Sequence, residues 1–265
     1  MFDSHIHSTF STDSTMNAEE ACKRAYEMGL EGLIFTDHVD FEYPGLDGEF
    51  LIDLAEHGKY FEALKEKWNG RLKVLKGIEM GFQPQIIPQI TQTLQQYKFD
   101  YVIGSVHIID KKDPYTGDFF KGLTQRQAYS RYLEEIICCL KLYSDFDSVG
   151  HIGYAARYSK YEDRLLRYSE YNDLLDEIIK LAIEKGKAIE INTSGLRSDL
   201  ITTIPGYDFF KRYKELGGEL VTIGSDSHKV EHLGANFDEV VEHLKSIGFK
   251  CITHYENRKP IFTGI

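Results

Sequence analysis

Six short apolar runs along this chain end in the same way, on a histidine or a carboxylate. His5 and His7 alternate at the end of the first run. Residues two apart on an extended strand share a face, so both imidazoles can reach one ion. Asp37 and His38 close the second run, Glu79 the third, His107 the fourth and His151 the fifth, while Asp226 and His228 follow the run 220–224. Taken singly, each histidine could be a satisfied core residue and each acid a helix cap. Six coincident strand ends are harder to dismiss, because parallel strands closed into a barrel bring their C-terminal ends to one rim. Imidazole and carboxylate donors without thiolates suit Zn, Mn or Fe in a catalytic site, not a closed structural one.

The elements that must carry these residues follow from periodicity. Strands are expected at 1–6, 32–36, 73–78, 101–106, 148–150, 188–192 and 220–224, with a last one at 250–254. Between them lie amphipathic helices. Thr124 and Gln127 form a capping box ahead of Tyr129, Tyr132, Leu133, Ile136, Ile137 and Leu140. Ser169 is expected to cap a helix with the stripe Tyr171, Leu174, Leu175, Ile178, Ile179 and Ala182, stopped by Gly186. Asn236 and Glu239 open a third, carrying Phe237, Val240, Val241 and Leu244, which Gly248 ends. Alternating strands and helices argue for a mainly parallel sheet covered by helices. Barrels of about 250 residues fold as one domain, and no linker rich in Pro, Gly or Ser interrupts the 265 residues. A single domain over 1–265 is therefore expected. Two long loops, 39–48 and 108–123, directly follow strands, where such a barrel places its active-site loops.

Charge narrows the partners. Thirty-one basic residues face 42 acidic ones, a net of −11, and no dense Lys/Arg run provides the stripe that a long nucleic acid requires. An anionic small molecule stays compatible, since bound divalent cations reverse the local field. Four cysteines, Cys22, Cys138, Cys139 and Cys251, lack zinc-ribbon or disulfide spacing and read as reduced core residues. Neither a leader-like segment nor an apolar run of about 18 residues is visible, so a cytoplasmic protein without membrane association is expected.

The ordered motifs Asp3-Ser-His-Ile-His7-Ser, Ser11-Thr-Asp13-Ser, Thr36-Asp37-His38, Gly77-Ile-Glu79, Gly104-Ser-Val-His107, Gly150-His151 and Gly224-Ser-Asp226-Ser-His228 resemble those of the PHP family, named for polymerase and histidinol phosphatase. They run in order from residue 3 to residue 228. The resemblance implies a distorted (β/α)7 barrel, TIM-barrel-like, holding a trinuclear centre of divalent transition-metal ions (Zn, Mn or Fe), of which two or three are expected. By motif position His5, His7, Glu79 and Asp226 hold the first ion. Glu79 bridges to a second on His107 and His151, and Asp13, His38 and His228 take a third. Some relatives place a histidine where Asp13 stands, which would alter the charge of that site. His57, His232, His243 and His254 match no motif and read as surface or structural.

Such a cluster acidifies a bridging water, and the resulting hydroxide attacks phosphorus in line. Glu79, Asp226 and His228 are then the expected catalytic residues. Ser4, Ser8 and Ser225, beside the ligands in sequence, read as hydrogen-bonding support. Without a polymerase region, and with the segments 150–154 and 189–197, the chain resembles the histidinol-phosphatase branch. The implied reaction releases phosphate from L-histidinol phosphate in histidine biosynthesis. The competing reading is a PHP phosphoesterase or exonuclease acting on nucleotides or polynucleotide ends. Arg157 and Arg197, just beyond two strand ends, are expected to grip the phosphate. Asp40, Glu42, Tyr43 and Phe119 on the long loops are candidates for the substrate's amino group and imidazole.

Overall fold

The computed structural model describes residues 1–45 and 50–265. Runs that are apolar on both faces become strands of a parallel sheet, because helices cover one face and the barrel interior the other. The strands are β1 (Phe2–Ile6), β2 (Gly32–Phe35), β3 (His38–Val39), β4 (Lys73–Gly81), β5 (Tyr101–Ser105), β6 (Ser148–Val149), β7 (Ala188–Asn192) and β8 (Val221–Gly224). Their order is β1-β2-β4-β5-β6-β7-β8, with β3 added on β4. Every pair in this sheet is parallel. The path returns to its start through a single bridge, Ile6 to Ser227. There the His7 N–H donates to Ser227 O at 2.8 Å and the Asp226 N–H to His5 O at 2.7 Å. The result is a distorted (β/α)7 barrel with a narrow seam between its first and last strands.

Helices α1 (Ala18–Glu27), α2 (Leu54–Trp68), α3 (Ile87–Gln96), α4 (Gln125–Leu142), α5 (Tyr154–Tyr158), α6 (Asn172–Glu184), α7 (Tyr207–Glu215) and α8 (Phe237–Ile247) surround the sheet. The α4 stripe is buried as its period requires, and the Thr124–Gln127 capping box forms. Inside the barrel the layers differ in character. Tyr101 and Ile103 join Phe2, Ile34, Leu75, Ala188 and Tyr255 in an apolar plug. Two residues further along β5, on the same face, Ser105 donates to Glu79 Oε1 at 2.6 Å. The polar layer therefore lies beyond this largely apolar one, at the C-terminal ends of the strands. Among the described residues, no helix is long and apolar enough to cross a membrane.

Several local expectations are corrected. Glu79 does not end its strand: β4 continues to Gly81, because β3 pairs with its far end, His38 opposite Glu79. The loop expected from residue 39 thus starts later, and its portion 46–49 lies outside the described residues. Ser169 sits inside a 3-10 turn, Tyr168–Glu170, so α6 starts at Asn172 without a side-chain cap. Asn236 has φ +65°, which turns its side chain away from capping α8, and Asp238 and Glu239 complement that end of the helix by charge. Gly248, at φ +106°, does end α8. The expected last strand becomes β9 (Cys251–Glu256), paired antiparallel with β10 (Lys259–Gly264) outside the barrel. Loop 108–123 packs partly into the core, with Ile108, Ile109 and Phe119 buried.

Candidate metal centre

The structure gathers all nine candidate ligands at one end of the barrel. Glu79 is fully buried at the centre and turns its two oxygens different ways. Oε2 lies 3.2 Å from His5 Nε2, 3.5 Å from His7 Nε2 and 3.0 Å from His38 Nδ1. Oε1 lies 2.8 Å from His151 Nε2 and 3.3 Å from His107 Nε2. Asp226 Oδ1 faces His7 Nε2 at 3.5 Å and His5 Nε2 at 3.9 Å. Asp13 Oδ2 completes the ring, 3.3 Å from His228 Nε2 and 3.6 Å from His38 Nε2. Among the described residues, three groups have donor atoms all within 4.8 Å of one another: His5, His7 and Glu79; His38, Glu79 and His107; His7, His38 and His228.

Strand geometry accounts for the placement. Alternation on β1 puts His5 and His7 on the interior face. Past β8 the chain turns sharply at Asp226, φ +53°, a left-handed conformation that aspartate tolerates better than most residues. That turn lets the Asp226 backbone bond to His5 O while its carboxylate lies over the ring nitrogens of β1. Gly224 makes the approach possible: a Cβ there would strike His5 Cβ and lie 2.5 Å from Glu190 Oε1.

The far sides of the rings are also held. His107 Nδ1 meets Asp40 Oδ1 at 2.9 Å, and His5 Nδ1 meets Glu190 Oε1 at 2.6 Å. Such bonds fix the tautomer and leave Nε2 as a bare donor. Asp37 is not a ligand. It accepts from Ser8 N, Ser8 Oγ and Ser11 Oγ and contacts His57 Nε2 at 3.2 Å, so it ties the β1 loop to α2. His57 is thus buried and structural. Ser8 bonds to Asp37 and not to a candidate ligand, Ser225 braces the β8 turn, and Ser4 Oγ has no partner among the described residues.

The donor set fits divalent cations. Glu79 Oε2 and His38 Nδ1 are buried without a hydrogen-bond partner, an arrangement costly for any polar atom that an ion does not satisfy. In the metal-free protein, protons share this role. Burial opposes charge on His5, His38 and His107, but the surrounding carboxylates outweigh it and raise all three well above an ordinary imidazole. Burial together with the neighbouring His228 and His38 holds His7 neutral, lowered to about 3. Burial works against ionisation of Glu79 and Asp226 too, yet the adjacent histidines, with Arg157 for Asp226, keep both well below the usual carboxylate range.

A cavity of about 550 Å³ opens above this floor, with Arg157, Arg197, Tyr43, Asp113, Tyr154 and His232 in its walls. Arg157 Nη1 donates to Asp226 Oδ2 and to Ser194 Oγ, both at 2.9 Å. Arg197 donates to Ser225 O at 2.5 Å and to Thr193 Oγ1 at 3.3 Å. Each arginine spends two of its five N–H groups on these anchors and keeps three. Of the four loop candidates for the substrate's organic part, Asp40 and Tyr43 line the cavity, and Tyr43 is tied by its hydroxyl to Asp113. Asp40 is committed to His107, Phe119 is packed in the core, and Glu42 lies outside the cavity lining. Asp113, unmarked in sequence, is buried and accepts from Tyr43 Oη at 2.5 Å and Tyr154 Oη at 2.9 Å, fastening two walls together.

Comparison with known proteins shows what the chain and its fold are similar to. The model of the PHP domain family matches residues 3–194. A probable histidinol-phosphatase of Clostridium acetobutylicum is 36% identical over 254 residues, 95% of this chain and 96% of that one. The histidinol-phosphatase of Lactococcus lactis is 32% identical over 258 residues, 97% of this chain and 95% of its own. The crystal structure of histidinol phosphate phosphatase from Lactococcus lactis, complexed with zinc, L-histidinol and phosphate, matches with a TM-score of 0.92 at 31% identity, covering 98% of each chain.

Proposed function

Because the chain belongs to the PHP domain family, we propose that it is a metal-dependent phosphatase that hydrolyses L-histidinol phosphate to L-histidinol and inorganic phosphate. The observation that carries this reading is one cavity with a floor of imidazole and carboxylate donors and two arginines in its wall. Two or three divalent ions, Zn, Mn or Fe, suit the donors. His5, His7, Glu79 and Asp226 would hold one, Glu79 with His107 and His151 another, and Asp13, His38 and His228 a third. When bound, such ions supply Lewis acidity, which neutralises phosphoryl charge and acidifies water.

The chain's own residues do the rest. Arg157 and Arg197 take the phosphate through the N–H groups that their anchors leave over. Glu79 holds the two halves of the centre at a fixed separation, since its carboxylate faces both. Asp226 links an arginine to the ring donors, with Oδ2 on Arg157 and Oδ1 toward His5 and His7. His228, at the rim, closes the donor ring with Asp13. Tyr43 and Tyr154, held by Asp113, shape the wall that meets the imidazole. Residues 1–265 act as one unit, because candidate ligands from 5 to 228 share one barrel end.

The reaction serves histidine biosynthesis, and a cytoplasmic setting suits the four free cysteines. A small phosphorylated substrate, not a long nucleic acid, suits the acidic chain. Phosphate release from histidinol phosphate, nucleoside monophosphates and single-stranded DNA, measured side by side, tests the proposal. Preference for histidinol phosphate is expected, and faster release from either nucleic-acid substrate would overturn it.

A further inference from the structure

One buried acid has no part in the set above. Glu190, on β7, is almost wholly enclosed and projects into the barrel from the wall opposite Glu79. Among the described residues no lysine or arginine pairs with it, and its one ionisable partner is His5. Oε1 meets His5 Nδ1 at 2.6 Å and receives a longer bond from Asn192 Nδ2 at 3.3 Å. Oε2 accepts the backbone N–H of His151 at 2.7 Å. His5 and His151 face opposite oxygens of Glu79, Oε2 and Oε1 respectively.

We infer that Glu190 is a positioning residue that sets the two halves of the centre together, fixing the tautomer of His5 with one oxygen and the seat of His151 with the other. The inference rests on the metal-centre reading above. Its logic lies in donor and acceptor counting. The His151 N–H can only donate. His5 must also donate from Nδ1 if its Nε2 is to offer a lone pair toward Glu79 and Asp226. Both groups facing Glu190 are therefore donors, and only a carboxylate accepts at both ends.

Glutamine has the same shape and fails in either orientation. With its amide nitrogen toward His151, two N–H groups oppose each other and the ligand's backbone is pushed away. With the nitrogen toward His5, Nδ1 must accept, and the proton moves to Nε2, the atom that faces Glu79. Each orientation damages one cluster. Neither touches Asp13, His38 or His228, which have no bond to Glu190.

The test loads wild type and Glu190→Gln with Zn under identical conditions and counts ions by elemental analysis, with a titration to obtain affinity. Circular dichroism checks the fold. The variant is expected to lose at least one ion per chain, or to bind it about 10- to 100-fold more weakly, with occupancy returning at excess Zn. A variant that matches wild type in ion count and affinity overturns the inference while leaving the metal-centre reading intact. Wild type that takes up no ion overturns both. If Glu190→Gln does not fold, 15N spectra of histidine-labelled, Zn-loaded wild type decide instead. His5 is expected to carry its proton on Nδ1, and a proton on Nε2 overturns the inference.

Discussion

Replacing Arg197 by alanine removes a guanidinium that the structure has already oriented. Its bonds to Ser225 O and Thr193 Oγ1 fix its plane at the cavity wall and leave three N–H groups for a ligand. One charged hydrogen bond contributes about 1.5–3 kcal/mol, which converts to roughly 10- to 150-fold in kcat/KM. Arg157→Ala should cost at least as much. It also strips Asp226 Oδ2 of its ion pair, so part of its loss should fall on kcat. Arg197→Lys should recover only a fraction, because an ammonium cannot reproduce two parallel donors. Steady-state phosphate release from histidinol phosphate gives the constants, and elemental analysis checks that metal content is unchanged. If both alanine variants stay within about twofold of wild type at normal metal content, the arginines do not hold the phosphate and the reasoning from their geometry is wrong.

Protein purified without chelator, or reconstituted with Zn or Mn, should contain two or three ions per chain; no more than one in every active preparation would reject a multinuclear centre. Glu79→Gln should abolish most turnover with little loss of thermal stability, and full turnover at full metal content would sink its bridging role. His243→Gln, exposed beside Tyr207, is the control, since His57 is buried against Asp37. In the metal-free protein, the raised pKa values of His5, His38 and His107 add stability that is fully present below about pH 6.5 and is lost as pH rises through the folded-state values. His7, lowered to about 3, stays neutral across that window. Metal must displace those protons, so affinity should rise with pH. Calorimetric scans should show the gap in Tm between loaded and metal-free protein widening from about pH 6 to about pH 8; a constant gap would refute the linkage.

Much of the centre was legible because its donors are chemically rare and sit where strands end. His-x-His on a strand needs only alternation to share a face, and the later histidines need only parallel strands to reach the same rim. The type of Glu79 marks it in the sequence, but the full length of its strand does not show there, since the pairing of His38 and Val39 is a contact with no local signature. Side chains on loops were harder. Asp40 looked like a free acid for a ligand, but its direction depends on β3 and on His107 across the cavity mouth. Phe119 looked available and lies in the core, because two 3-10 turns fold its loop inward. Glu190 stands in an alternating strand like many others. That one neighbour, His151, follows the adjacent β6 while the other, His5, comes from β1 across the closed barrel is a property of the tertiary fold.

The narrow seam between β1 and β8 carries a consequence for the order of assembly. His5 and His7 are synthesised more than 200 residues before Asp226 and His228, which follow β8, the strand whose end must reach back to Ile6. Until that strand arrives, the nascent chain displays imidazoles with no carboxylate from β8 beside them. Pairing so distant in sequence is slow to form, and only then does the Asp226 carboxylate face His5 and His7. An ion held between these donors would act as a clasp on the join that closes the barrel wall.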